Sequence, residues 1–349
     1  MGGNALKHLN VVRVDTNTLI GVFNSFYRLF NIHEINCYIV PWIESKQDHG
    51  DLDIIVNSTK DEVFELLKSK KFMINKSKTN DNVISMPYDV GNNKLLQVDF
   101  ICTPNSHWTR FFYSGGDFGL YMGRVCSAYG LVFATDGFRL RADPEVNWMK
   151  DITLTDEPSS FLSVMEYDNP PRFIKEEDLW NYILSSKFAK PWMFLPKSTN
   201  AENRSRDKQR PAVQRFQNWL MNKIESEKEL DQHKFSYDEA YCFACNNFDS
   251  SIINSEIIDQ ENEFNLNKEV NAIFGVSAVD KALTKNFDVS KFKIGWINEV
   301  IKDMQSMLPP KNERFNIYKH SPDIAEKIAI SAAKISLEKL KIKYINKLL

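Results

Sequence analysis

The sequence is poor in the features that mark secreted and membrane-bound proteins. Its 349 residues include only five cysteines, an odd and scattered set that argues against a disulfide framework. No stretch approaches the roughly 18 to 20 apolar residues that a membrane span requires. The first residues lack the charged and then apolar run of a signal peptide. We therefore expect a soluble protein of the cytoplasm or another reducing intracellular compartment, with no membrane partner.

Strong net charge is also absent. Lys and Arg number 44 against 46 Asp and Glu, which leaves a formal net charge of −2. Any nucleic-acid binding must therefore come from local basic patches. The length favours two or three packed units.

What is present divides the chain into two halves of different character. Helical spacing of apolar residues over 16–31 is followed by β-like runs at 36–41, 52–56, 83–88 and 95–102, and by a hairpin pattern around Thr135, Asp136 and Gly137. We expect mostly antiparallel strands in this part. From Pro211 onward the periodicity is almost entirely helical. The pattern predicts a mixed α+β region at 1–141, a further segment at 142–196, a polar linker at 197–210 and a helical domain at 211–349.

Acidic residues recur on two of the predicted strands. In KQDHGDLDIIVN, Asp51 and Asp53 lie at alternate positions and so project on the same side. In LLQVDFIC, Asp99 shares a face with Gln97 and Ile101. If the two strands are neighbours, three carboxylates converge, and such a group suits a hard divalent cation such as Mg²⁺. The alternative is that Asp51 and Asp53 are solvated or cap a turn.

The order of motifs resembles the palm of the family X DNA polymerases, in the polymerase β nucleotidyltransferase superfamily. The resemblance covers roughly residues 35–196 and rests on GDLDIIV, VDFI, FYSGGDFGLYMGR and YGLVFATDGFRLR. It implies a polymerase β-like nucleotidyltransferase palm, a mixed sheet with flanking helices, and a thumb-like role for 142–196.

The resemblance also implies roles for individual residues. Asp51 and Asp53, which follow Gly50, would bind the same two Mg²⁺ ions, with Mn²⁺ as an alternative. They would bridge the nucleotide-binding ion and the catalytic ion. Asp99 would hold the catalytic ion and take the proton of the attacking hydroxyl. The turn formed by Tyr113, Gly115, Gly116 and Asp117 would line the sugar and base of a nucleoside triphosphate, and Arg124 would face a template or primer strand.

The phosphate-binding motif departs from that family. Where the family has Gly-Ser, this chain has Val40-Pro41, and proline has no N–H to offer a phosphate. Ser45 and Lys46 lie near enough in the sequence to substitute. The other option is that Gly2 and Gly3 fold back and supply a phosphate loop.

A nucleic-acid 3′ end is the acceptor that we favour from the sequence. Basic residues contact phosphates, and Arg204, Arg206, Lys208 and Arg210 form a basic run before the helical domain at 211–349. We expect that domain to bind the acceptor. The alternative for this run is a solvated linker. The sequence thus predicts a metal-dependent nucleotidyltransferase, a small polymerase or terminal transferase. Two alternatives stay open: nucleotidyl transfer to a protein or small-molecule hydroxyl, and a catalytically silent nucleic-acid-binding palm.

Overall fold

The computed structural model describes residues 5–74, 77–80, 82–170, 172–198, 201–224, 233–274, 278–279, 281–282 and 294–345. It separates into two compact units. The first comprises Met1–Glu145 with Lys150–Ile253, and the second comprises Val146–Met149 with Asn254–Leu349. Among the described residues, no helix is both long enough and apolar enough to cross a bilayer.

The first unit is a mixed α+β structure built on a five-stranded sheet. Its strands are β2 (Cys37–Ile39), β4 (Asp51–Val56), β5 (Lys78–Asn80), β6 (Val83–Asp89) and β7 (Leu95–Cys102). Their spatial order is β2-β4-β7-β6-β5. Only the central β4–β7 pair is parallel in this sheet. The other three pairs are antiparallel, as expected for most of the strands, and the parallel pair matters because it aligns the acidic residues of both strands.

One face of this sheet is closed by two helices, α1 (Thr16–Ile32) and α2 (Lys60–Ser69). Leu52, Ile54 and Val56 point to this side and pack in one buried apolar cluster with side chains of both helices. A capping box opens α2, in which Glu62 N–H donates to Thr59 and the Glu62 carboxylate accepts from Thr59 N–H. With this face filled by apolar side chains, the alternate residues Asp51 and Asp53 face the other side.

A three-stranded antiparallel sheet follows along the chain. It consists of β8 (Leu131–Ala134), β9 (Gly137–Leu140) and β10 (Ile152–Thr155), in the order β10-β9-β8. The β8–β9 hairpin turns at the expected residues, and β10 extends it beyond the prediction. The helices α4 (Phe118–Ala128) and α5 (Pro158–Val164) pack beside this sheet, whereas α3 (Ser106–Phe112) packs against β2 and β4 and α6 (Glu176–Ile183) packs against α4. A two-stranded pair, β1 (Val14–Asp15) with β3 (Asp48–His49), completes the strands described.

The polar segment 197–210, expected to be a linker, contains a helix. It forms α7 (Ala201–Asp207), which is followed by α8 (Pro211–Met221) and α9 (Tyr237–Asn247). All three belong to the first unit, so that unit extends well beyond the predicted boundary at residue 210. The reason is a long-range contact: Asp207 is buried against Arg124 of α4, and nothing in the local composition indicates this.

The second unit is helical where it is described. The long helix α10 (Ser250–Ile273) runs into it, and its remaining helices are Ile294–Met307, Lys311–His320 and Pro322–Ile345. Alanines at 325, 329, 332 and 333 are buried in its apolar cluster. The helical character predicted for this part of the chain is therefore found.

Candidate metal centre

The parallel pairing of β4 and β7 brings three carboxylates together. Asp53 is the register partner of Asp99, and Asp51 precedes Asp53 by two residues on the same face. Each of the three offers an oxygen, and these oxygens all lie within 4.8 Å of one another. Among the residues that the structure describes, this is the one group of three or more acidic, histidine or cysteine side chains with metal-binding spacing.

The carboxylates are held away from water. Asp99 is only 5% exposed. Atom Oδ1 of Asp53 is fully enclosed and has no hydrogen-bond partner in the described part of the chain. A buried charged oxygen without a partner is costly, so this atom needs either a proton or a cation.

The same surroundings raise the pKa values of two of the carboxyl groups. Burial, followed by the charges of Asp51 and Asp99, raises the pKa of Asp53 well above its usual range. Burial also raises the pKa of Asp99 to about 6, although hydrogen bonds from Ser85 and Gln97 act in the opposite direction. Close carboxylates that resist ionisation together are relieved by a bound cation. The oxygen-only donor set, with its orphaned buried atom, fits a hard divalent ion such as Mg²⁺ or Mn²⁺.

Two polar side chains that support Asp99 had not been assigned a role from the sequence. Gln97 Nε2 lies 3.0 Å from Asp99 Oδ1 and 2.9 Å from Oδ2. Ser85 is the register partner of Asp99 on β6 and donates to its carboxylate. The alternation of side chains along a strand could have identified Gln97, because it puts Gln97 on the same face as Asp99. The pairing of β6 with β7, which brings in Ser85, had no such local signal.

The loop that contains Ser45 and Lys46 presents their side chains, but not their backbone N–H groups, to a ligand. The N–H groups of Ser45 and Lys46 donate to the carbonyls of Ile174 and Ile43, each at 2.9 Å. Both side chains are exposed, and the charge of Lys46 acts to lower the pKa of Asp53. A phosphate at this loop would therefore contact the Ser45 hydroxyl and the Lys46 ammonium. The alternative phosphate loop at Gly2 and Gly3 lies outside the described residues.

The turn that contains Tyr113, Gly115 and Gly116 lies beside the carboxylates. Burial and the charges of Asp53 and Asp99 raise the pKa of Tyr113 to about 12. Gly115 N–H donates to the carbonyl of Pro41 at 3.0 Å, which joins the turn to the loop after β2. Gly115 has a φ of +59°, and a Cβ there would come within 3.1 Å of Phe173. A larger residue would strain this turn, so glycine is needed here.

An open cleft of about 600 Å³ adjoins these elements. Ser45, Lys46, Gly115, Gly116 and Asp117 all line it. Its remaining walls include the aromatic residues Trp42, Tyr121 and Trp180 and the basic residues Arg13, Lys175 and Arg215. Its size and mixed lining are those of a site for a single small ligand. Gly50 packs against the guanidinium of Arg13 at the edge of the strand that carries Asp51.

The structure corrects the role expected for Arg124. Its guanidinium lies 2.5 Å from Asp207 and 3.1 Å from the carbonyl of Phe194, with both charged side chains only 8% exposed. It is therefore unavailable to a template or primer strand. It was misassigned because its partner lies 83 residues away on a helix that the sequence did not predict.

The other basic candidates differ in their exposure to solvent. Arg204, Arg206 and Lys208 are exposed on or just after α7. Arg210 instead pairs with Asp117, at 3.6 Å between Nη1 and Oδ1. Asp117 lines the cleft and Arg210 belongs to the basic run, so the ion pair connects the two. The Asp117 carboxylate, which was expected near the nucleotide base, is thereby paired with Arg210.

Comparisons with protein-family models and with curated proteins found no relative of this chain. No model of a known protein family matches the chain, and no curated protein matches it significantly.

Proposed function

We propose that this chain is a metal-dependent nucleotidyltransferase with a polymerase β-like palm. The observation that carries the proposal is the trio Asp51, Asp53 and Asp99, drawn from a parallel strand pair, with oxygens within 4.8 Å of one another. The cleft with Ser45, Lys46 and the Gly115–Gly116 turn in its lining has room for one nucleoside triphosphate, although the three carboxylates are not among its lining residues.

The residues of the site have separate roles in the proposed reaction. The Ser45 hydroxyl and the Lys46 ammonium bind the triphosphate, and the three carboxylates hold the divalent ions. Bound Mg²⁺ supplies charge neutralisation and polarises the phosphoryl group and the leaving pyrophosphate. The acceptor hydroxyl oxygen forms a bond to the α-phosphorus, and the bond to the bridging oxygen of the β-phosphate breaks. Asp99 takes the hydroxyl proton as a general base.

The acceptor that we propose is the 3′ hydroxyl of a nucleic-acid strand. The exposed basic side chains of Arg206 and Lys208 support this choice, because such residues bind phosphates without regard to sequence. No template contact is proposed, because Arg124 is buried in its pair with Asp207. The same burial favours a second candidate, transfer of the nucleotide to a hydroxyl of a protein or small molecule.

The test is incubation of the protein with each α-labelled nucleoside triphosphate and Mg²⁺. The acceptors are single-stranded oligonucleotides, a primer–template duplex and the protein alone. We expect extension of the single strand, which Asp99→Ala abolishes and the exposed-residue control Asp61→Asn leaves intact. Label on protein would establish the second candidate. A protein that binds nucleic acid but transfers no label with any acceptor would contradict the proposal and leave a silent palm.

A further inference from the structure

The segment that precedes α1 contacts the support of the metal site directly. We call residues 5–15 the N-terminal segment. Leu6 is fully buried, and its N–H donates to Gln97 Oε1 at 3.1 Å. Farther along, Val12 N–H donates to the carbonyl of Leu95 at 2.8 Å. The segment is thus anchored at two points on β7, the strand that carries Asp99.

Gln97 links this segment to the metal site. The side chain is 1% exposed, with its oxygen facing Leu6 N–H and its NH₂ group facing both oxygens of Asp99. An amide presents an acceptor at one end and donors at the other. The Leu6 N–H therefore selects the orientation in which the donors face Asp99. Without that N–H, the amide oxygen could turn toward the carboxylate and repel it.

The same segment also contacts the residues that lead into β4, the strand that carries Asp51 and Asp53. Val14 and Asp15 pair with His49 and Asp48 as β1 and β3. Arg13 forms an ion pair with Asp48 and donates to its carbonyl at 2.8 Å. Gly50, the residue before Asp51, lies against the same guanidinium. The N-terminal segment therefore contacts β7 directly and reaches β4 through the residues that immediately precede it, 48–50.

We propose that the N-terminal segment is a positioning element for a divalent cation, and that Gln97 is the positioning residue through which it fixes Asp99. This inference rests on the proposed function. Side chains that orient a metal ligand typically change metal affinity 10- to 100-fold when they are removed. We expect an effect of about this size from the loss of the Gln97 amide.

The first test measures Mn²⁺ binding by the electron paramagnetic resonance signal of the free ion. The variant is Gln97→Met, which keeps the side-chain length and removes the amide. Its control is Leu96→Met, a volume-conserving change in the adjacent buried side chain on the opposite face. We expect Mn²⁺ affinity about 10- to 100-fold weaker in Gln97→Met and within about twofold of wild type in the control. In turnover, kcat should fall while the KM for nucleotide stays within about twofold, since Gln97 contacts Asp99 and not the cleft.

A second pair of variants tests the segment itself. Leu6→Pro removes the N–H that orients Gln97, whereas Leu6→Met keeps it along with most of the buried apolar volume. We expect weakened Mn²⁺ binding only in Leu6→Pro, with circular dichroism showing that each variant is folded. Wild-type affinity in folded Gln97→Met would overturn the inference and leave the proposed function standing. Failure of the wild-type protein to bind Mn²⁺ would overturn the proposed function itself.

Discussion

Asp99 is the residue at which stability and proposed activity conflict. It is buried, aligned with Asp53, and its pKa is raised to about 6. An acid with a raised pKa in the folded state binds more protons there than in the unfolded chain. In the absence of metal, its contribution to the free energy of unfolding is therefore lost as the pH rises from about 4 to about 6. Asp53, whose pKa is also raised, acts in the same direction.

A neutral side chain at this position should stabilise the metal-free protein. We expect Asp99→Asn to increase the free energy of unfolding at pH 7 by about 1–3 kcal/mol. The gain should disappear near pH 4, where the carboxyl groups are protonated in both states. The measurement is urea unfolding in the presence of a chelator at several pH values.

The matched control for this prediction is Asp61→Asn. Asp61 is exposed in the first turn of α2, so this change should not produce a gain at pH 7. A loss of stability in Asp99→Asn at every pH would show that Asp99 is stabilising as a charge, contrary to the account given for the site.

Lys46 should govern the affinity for the triphosphate. Because the backbone N–H groups of Ser45 and Lys46 are already used, the side chains must supply the phosphate contacts at these two positions. We expect Lys46→Met to raise the KM for nucleotide about tenfold, the effect of losing one charge-assisted contact of about 1.4 kcal/mol. Steady-state kinetics would measure it, with exposed Lys70→Met as the control. An unchanged KM in Lys46→Met would place the triphosphate elsewhere.

At the scale of elements, α7 is held by a buried ion pair. Removal of one partner leaves the other charge buried, which typically costs about 3–5 kcal/mol. We expect Arg124→Met to lower the free energy of unfolding by this amount. The exposed neighbour change Arg206→Met should have an effect within about 0.5 kcal/mol. Urea unfolding of both variants is the measurement, and equal stabilities would contradict the packing role of Arg124.

Local patterns predict the elements of the site but not how the elements pair. Alternation in LLQVDFIC places β7 at Leu95–Cys102, and the Thr59–Glu62 capping box places the start of α2. The parallel alignment of β4 with β7 depends on contacts more than 40 residues apart in sequence. The helix α7 was missed for the same kind of reason, since its polar sequence is anchored by one distant arginine.

The same limit applies inside the site. The three acidic residues could be identified because strand alternation gives each a face. Other features of the site depend on partners that folding brings close. These are the hydrogen bonds from Gln97 and Ser85 to Asp99, the pairing of Asp117 with Arg210 and the hydrogen bond of the Ser45 N–H. Sequence therefore predicts which groups are candidates, and the fold decides which of them are available.

At the scale of the whole molecule, the candidate site belongs to one unit. The carboxylates, the cleft and the exposed arginines of α7 all lie within the first unit. The predicted acceptor-binding role of the helical part, 211–349, stays a prediction. Because the net charge is close to zero, recognition of a nucleic-acid strand would depend on the local basic run rather than on bulk attraction.

The central claim is that Asp51, Asp53 and Asp99 together hold divalent metal. The most direct measurement is anomalous diffraction at the manganese edge from crystals grown with Mn²⁺ and a non-hydrolysable nucleoside triphosphate analogue. We expect manganese density about 2 Å from carboxylate oxygens of all three residues, with the triphosphate directed toward Ser45 and Lys46. Manganese absent from the trio, with the nucleotide bound elsewhere or not at all, would contradict it.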